Sequence, residues 1–87
     1  MQVVVELFGI ARARAGVART TAVGDCLGDV LADLAAQFPP LAESCIAGRT
    51  LRPGFLANLG GQRFVTAPDT PLADGDTVLL LPLDAGG

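Results

Sequence analysis

The alternation of apolar and polar positions divides the chain into short extended runs around one amphipathic helix. Val3-Val4-Val5-Glu6-Leu7-Phe8 is β-branched and aromatic-rich and stops at Gly9, which predicts a first strand. Arg12 to Gly16 reads as a short basic turn, and Ala18 to Val23 as a second strand returning beside the first. The clearest periodicity follows. Leu27, Val30, Leu31, Leu34 and Phe38 recur at i, i+3, i+4, i+7 and i+11, the spacing of one apolar helix face. Asp25 is placed to cap that helix, Asp29 and Asp33 fall on its polar face, and Pro39-Pro40 end it, because proline lacks the amide donor and restricts the residue before it.

Beyond the prolines, Leu41 to Ile46 predicts a short second helix or 3₁₀ turn, and Arg49 to Gly54 a loop. Phe55 to Leu59 and Arg63 to Val65 predict two strands joined through a tight turn at Gly60-Gly61. Asp74-Gly75-Asp76 is a turn signal leading into Thr77-Val78-Leu79-Leu80-Leu81, which Pro82 ends. Two strands, a helix and two or three further strands define an α+β domain with a mixed sheet of four or five strands and the main helix on one face. Neighbouring first and last strands would run parallel at the sheet centre, the ubiquitin-like β-grasp arrangement. The near-continuous apolar run Val78 to Leu81 suits that buried position. Residues 1–81 then form the domain, and 82–87 an extended C-terminal tail with a flexible Gly-Gly tip.

Composition narrows the function. The 87 residues leave no room for a second core. A net charge of −3 with six arginines and no lysine is a poor match to nucleic acid, which needs a clustered basic surface. No stretch approaches the ~20 apolar residues of a membrane span, and the N-terminal run reads as a strand rather than a signal peptide, so a cytoplasmic protein with reduced thiols is expected. Cys26 and Cys45 have neither zinc-ligand spacing nor a disulfide framework. Both are read as packing residues, although a thiol near a helix N-terminus, as at Cys26, is a candidate sulfur carrier. There is no His, Lys or Tyr, and Ser44 is the one serine, so no base stands ready to activate a nucleophile. The protein is not expected to be an enzyme on its own, and no metal or bound cofactor is expected.

What remains is the segment Pro82-Leu83-Asp84-Ala85-Gly86-Gly87, which spans about 20 Å if extended. Two glycines at its tip present backbone alone, so a carboxylate on Gly87 can pass through a channel that any Cβ would obstruct. An ionised carboxylate is a poor electrophile, but joining it to AMP supplies a leaving group. Sulfur can then displace AMP to give a thiocarboxylate, which is ionised, soft and nucleophilic. Each step needs an unobstructed tip, and none needs a side chain on the carrier.

The run LADGDTVLLLPLDAGG, through Leu72, Asp74-Gly75-Asp76, Val78, Pro82 and Gly86-Gly87, resembles the C-terminal signature of the MoaD/ThiS family of sulfur carriers, and the Phe8 strand and the GDCLGDVLADLAAQFP helix also fit. The resemblance implies that Gly87 is adenylated, with ATP consumed by an E1-like activating enzyme of the MoeB/ThiF type, and then thiocarboxylated. It implies a sulfurtransferase or cysteine desulfurase as sulfur source and an acceptor that receives the tail. In the MoaD branch that acceptor is a MoaE-type large subunit, and the pair is molybdopterin synthase. In the CysO and ThiS branches the sulfur goes to cysteine or thiamine biosynthesis. Length favours MoaD or CysO, whereas the ending Ala85-Gly86-Gly87 is closer to ThiS and CysO; Leu83 and Ala85 stand where MoaD tails often carry Pro and Thr. The same activated glycine would also serve a ubiquitin-like modifier conjugated to lysines.

Strand alternation proposes a docking face. Val3, Val5 and Leu7 share one side of their strand and Val4, Glu6 and Phe8 the other; Val78 and Leu80 likewise oppose Leu79 and Leu81. With the helix over the first set, Phe8, Leu79, Leu81 and Val65 are left on the open face beside the tail residues Pro82, Leu83, Asp84, Ala85 and Gly86, as the expected partner-binding surface.

Overall fold

The computed structural model describes residues 1–83. Ten elements follow in chain order: β1 (Gln2–Leu7), α1 (Gly9–Ala15), β2 (Arg19–Val23), α2 (Leu27–Gln37), α3 (Pro39–Ser44), β3 (Ile46–Ala47), β4 (Thr50–Leu51), β5 (Phe55–Leu59), β6 (Arg63–Val65) and β7 (Thr77–Pro82). Five strands form one mixed sheet in the order β2-β1-β7-β5-β6, and β3 and β4 make a separate small hairpin. β1 and β7 are parallel, with Val5 opposite Val78 and Leu7 opposite Leu80, and every other pairing in the sheet is antiparallel. This is the β-grasp fold that the pattern predicts.

Side-chain alternation sorts the sheet into two faces. Val3, Val5, Leu7, Ala22, Ala57, Val78 and Leu80 are buried together with Leu27, Val30, Leu31 and Leu34, the apolar stripe of α2. Leu41, Cys45 and Ile46 close the core below the helix. β7 lies between β1 and β5 with both edges paired, and Val78 and Leu80 point into the core while Leu79 and Leu81 are half-buried on the other face.

Several local expectations are corrected. Arg12 to Gly16 is not a turn but most of α1; alanine and arginine favour helix, and Gly16 closes it by donating its N–H to the Arg12 carbonyl at 2.9 Å. Only Ala11 of this helix is buried, so no apolar period announces it. The segment expected as an open loop contains β4, paired through Ile46–Leu51 and Ala47–Thr50. The expected second helix starts earlier, at Pro39, where a missing amide donor is tolerated, and Ile46 belongs to β3. Cys26, not Asp25, occupies the N-cap position of α2, and no side chain there bonds the first turn.

Leu34 is fully buried at the centre of the α2 stripe. Leu34→Ala is expected to destabilise the protein by about 3 kcal/mol, combining lost transfer energy with a cavity. A urea titration checks this, with the midpoint lowered and the slope unchanged.

Candidate functional site

The expected tail begins at the end of β7, and three features fix the backbone there. β7 does not stop at Leu81. It continues through Pro82, which lies opposite Phe55 of β5. The Leu80 carbonyl accepts from the Phe8 N–H at 3.1 Å, so β7 faces β1 at position 80 and again at 82. By then β1 has given way to α1, and the donor that Pro82 lacks has no strand to serve. The next residue faces the other side, and the Leu83 N–H donates to the Gly54 carbonyl at 2.7 Å. The pairing with β5 thus reaches one residue past the proline.

The third feature is Gly9. It has φ +58°, and a Cβ placed there would lie 2.5 Å from Pro82 Cγ. The first residue of α1 therefore lies against the pyrrolidine ring, and only glycine meets both the left-handed backbone and the close approach. Gly9 belongs to the site, although the sequence suggests no more than a strand terminator there. Asp84, Ala85, Gly86 and Gly87, the expected reacting and inserting residues, lie outside the described residues.

The open face of the sheet adjoins this root. Phe8 is exposed, and Leu79 and Leu81 are half-buried on the side away from α2, as alternation requires. Val65 is not with them. It pairs with Ala57 on the core face and is buried, lining a cleft of about 110 Å³ with Leu27, Leu31, Leu51 and Phe55. The phase of β6 is one residue from that expected, so Phe64, opposite Asn58, takes the open face and is 60% exposed. Leu56, opposite Leu81, completes the patch.

Asn58 lies among these apolar residues, between Leu79 and Phe64 in the register. Only 7% of it is exposed, and its Oδ1 is buried without a hydrogen-bond partner among the described residues. An unsatisfied buried carbonyl costs about 1–3 kcal/mol. The cost falls on the open face of the sheet, where Leu79, the residue opposite Asn58 on β7, in turn lies opposite Glu6 on β1. The one signal of Asn58 in the sequence is an amide inside an apolar strand.

The cysteines lie elsewhere. Cys26 is at the opposite end of the sheet, where its backbone bridges Pro71. Its Sγ receives Arg49 Nη2 at 3.5 Å, and the same guanidinium donates to Asp29. The hydrogen bond from Arg49 holds the Asp29 carboxyl below its usual range, and Asp29 in turn raises Arg49. Cys45 is buried in the core. No helix among the described residues is long and apolar enough to cross a membrane.

No protein-family model and no curated protein sequence matches the chain. Solved structures do. Small archaeal modifier protein 1 from Methanosarcina acetivorans is 26% identical, with 99% of this chain and 96% of that one covered and a TM-score of 0.79. CysO from Mycobacterium tuberculosis is 29% identical over 92% of this chain and 97% of that one, with a TM-score of 0.76. A candidate molybdopterin converting factor, subunit 1, from Pyrococcus furiosus shares the fold at 24% identity and a TM-score of 0.77, covering 94% and 97% of the two chains. The fold defines a ubiquitin-like β-grasp protein. Its structural neighbours are ubiquitin-fold proteins of the MoaD/ThiS type.

Two substitutions test the site. Gly9→Ala is expected to cost about 1–2 kcal/mol from the left-handed backbone alone, with the Pro82 clash added. Combined with Pro82→Gly, which removes the clashing ring, it should cost less than the sum of the single changes in thermal melts. Asn58→Leu should leave the free protein as stable as before or up to about 1 kcal/mol more stable, since it removes an unsatisfied group, and a urea titration reads the shift.

Proposed function

We propose that the chain is a sulfur carrier in which the Gly87 carboxylate is the working group. The observation that carries this reading is the clamped exit of the central strand. β7 delivers its C-terminal end beside an apolar face, and the residues that follow in sequence narrow to Gly86-Gly87. In an activating enzyme, a Gly87 carboxylate oxygen attacks the α-phosphorus of ATP. Pyrophosphate leaves, and an acyl-adenylate forms. A sulfide-level nucleophile then adds to the carbonyl, the bond to the AMP oxygen breaks, and the thiocarboxylate remains. The carrier's part is to hold its tip clear of the body and offer a surface that other proteins recognise. Phe8, Leu79, Leu81, Leu56 and Phe64 are suited to that surface, with Pro82 and Leu83 at the tail root. ATP is consumed by the partner, and the carrier needs no bound cofactor.

The acceptor is proposed to be a MoaE-type large subunit, which makes this chain the small subunit of a molybdopterin synthase. Similarity to CysO supports a second branch, in which the sulfur is used for cysteine or thiamine. The name of the small archaeal modifier protein supports a further role in conjugation to lysines.

Intact-mass analysis of protein purified from its own cells tests the reading. A fraction with one oxygen replaced by sulfur at Gly87 is expected, and incubation with ATP and an E1-like enzyme should give the acyl-adenylate. Removing Gly86-Gly87 should abolish both. Absence of adenylate with every E1-like enzyme of the source organism would defeat the proposal. A pull-down assigns the branch, and a ladder of conjugates on immunoblots would establish the modifier role.

A further inference from the structure

The charges of this acidic chain are separated along the sheet. β1 and β7 run parallel, so their starts share one end of the molecule and their finishes, with the tail root, the other. Arg19 pairs with Glu6 one step before β1 ends, Arg12 and Arg14 project from α1 just beyond it, and Arg52 lies in the loop whose Gly54 holds Leu83. Four of the six arginines therefore belong to elements at the same end of the sheet as the tail root, and Arg52 Nη2 there donates to the Ala42 carbonyl at 2.8 Å. Among the described residues only Glu6 and Glu43 oppose them there, and Arg12, Arg14, Arg19 and Arg52 make no ion pair.

The far end is the reverse. Asp74 Oδ1 accepts from the Gln2 N–H at 2.9 Å, Asp33 Oδ2 accepts from the Val23 N–H at 2.9 Å, and Asp76 accepts from Val4 through its backbone. Asp25, Asp29 and Asp69 cluster around the start of α2. Six carboxylates thus face two arginines, Arg49 and Arg63, and one of these is already paired with Asp29.

We propose that the four arginines form a docking collar for a partner protein with a cluster of carboxylates around the mouth of its tail-binding channel, and that this charge match brings the carrier in tail first. The inference rests on the carrier reading and adds to it the electrostatic character of the partner's rim. Like charge at the far end disfavours approach in the reverse orientation. Complementary fields of this kind raise association rates by roughly 10- to 1,000-fold at low salt, and the gain fades as the Debye length falls from about 10 Å at 0.1 M to about 3 Å at 1 M. The apolar patch beside the root then makes the short-range contact, and the collar sets the direction of encounter.

The test uses ATP–pyrophosphate exchange catalysed by the source organism's E1-like adenylating enzyme, with the full chain as substrate. Arg12→Glu/Arg14→Glu should lower kcat/KM about tenfold at low salt and leave kcat unchanged, and the difference should shrink toward 1 M salt. Arg12→Gln/Arg14→Gln should lose less, and Arg63→Glu at the far end should match the wild type. Circular dichroism melts establish that each variant is folded. Charge-reversed protein as active as wild type at low salt would overturn the collar while leaving the carrier reading intact. Wild type that is never adenylated would sink the carrier reading itself, and the collar with it. Arginine-dependent retention on phosphatidylglycerol vesicles or single-stranded RNA, with adenylation unaffected in the variants, would assign the patch elsewhere.

Discussion

The parallel pairing of β1 with β7 is the constraint from which the rest follows. It joins the two most distant strands of the sequence through Val5–Val78 and Leu7–Leu80 and so creates the sheet centre. β7 is then paired along both edges, and α2 covers one of its two faces. The other face keeps Leu79 and Leu81 half-buried and available. The same pairing puts the finish of β1 beside the finish of β7. Gly9 can therefore meet Pro82, and the residues that follow depart from a fixed point rather than a frayed one.

Seen from that root, the molecule has a division of labour that its small size makes economical. The body supplies an apolar face and an uneven charge distribution, and under the proposed carrier role the reactive group would need only backbone, in keeping with a chain so poor in nucleophiles and bases. Asn58 fits the same division. Its unsatisfied carbonyl is a local departure from good packing, placed on the open face of the sheet rather than in the core.

Much of this was legible in the pattern of residues. The α2 stripe, the five sheet strands and the central place of Val78 to Leu81 all follow from periodicity, because each element buries one definable face. Where burial is slight, the pattern is silent. α1 buries only Ala11, and β4 is two residues long, so neither leaves a period to read. Val65 failed for a different reason. In a three-residue strand the phase is set by pairing with Ala57, which the sequence does not specify, and a shift of one exchanges Val65 with Phe64 between faces. The clamp of Gly9 on Pro82 and the gathering of arginines at one end are tertiary facts, since Arg12, Arg19 and Arg52 meet only after the strands have taken their order. The expectation for the C-terminal residues rests on residue types alone, on the bareness of the two glycines and the signature leading into them, and it falls outside the described residues.

The placement of β7 also bears on biosynthesis. During translation the strand that completes the sheet centre is the last of the described strands to emerge from the ribosome, and until it does, β1 and β5 have no common neighbour. The nascent chain therefore holds three helices and the unpaired edges of β1 and β5, which cannot yet close into a body. A chain cut short before β7 therefore lacks the strand that joins β1 to β5 and leaves the sheet in two halves.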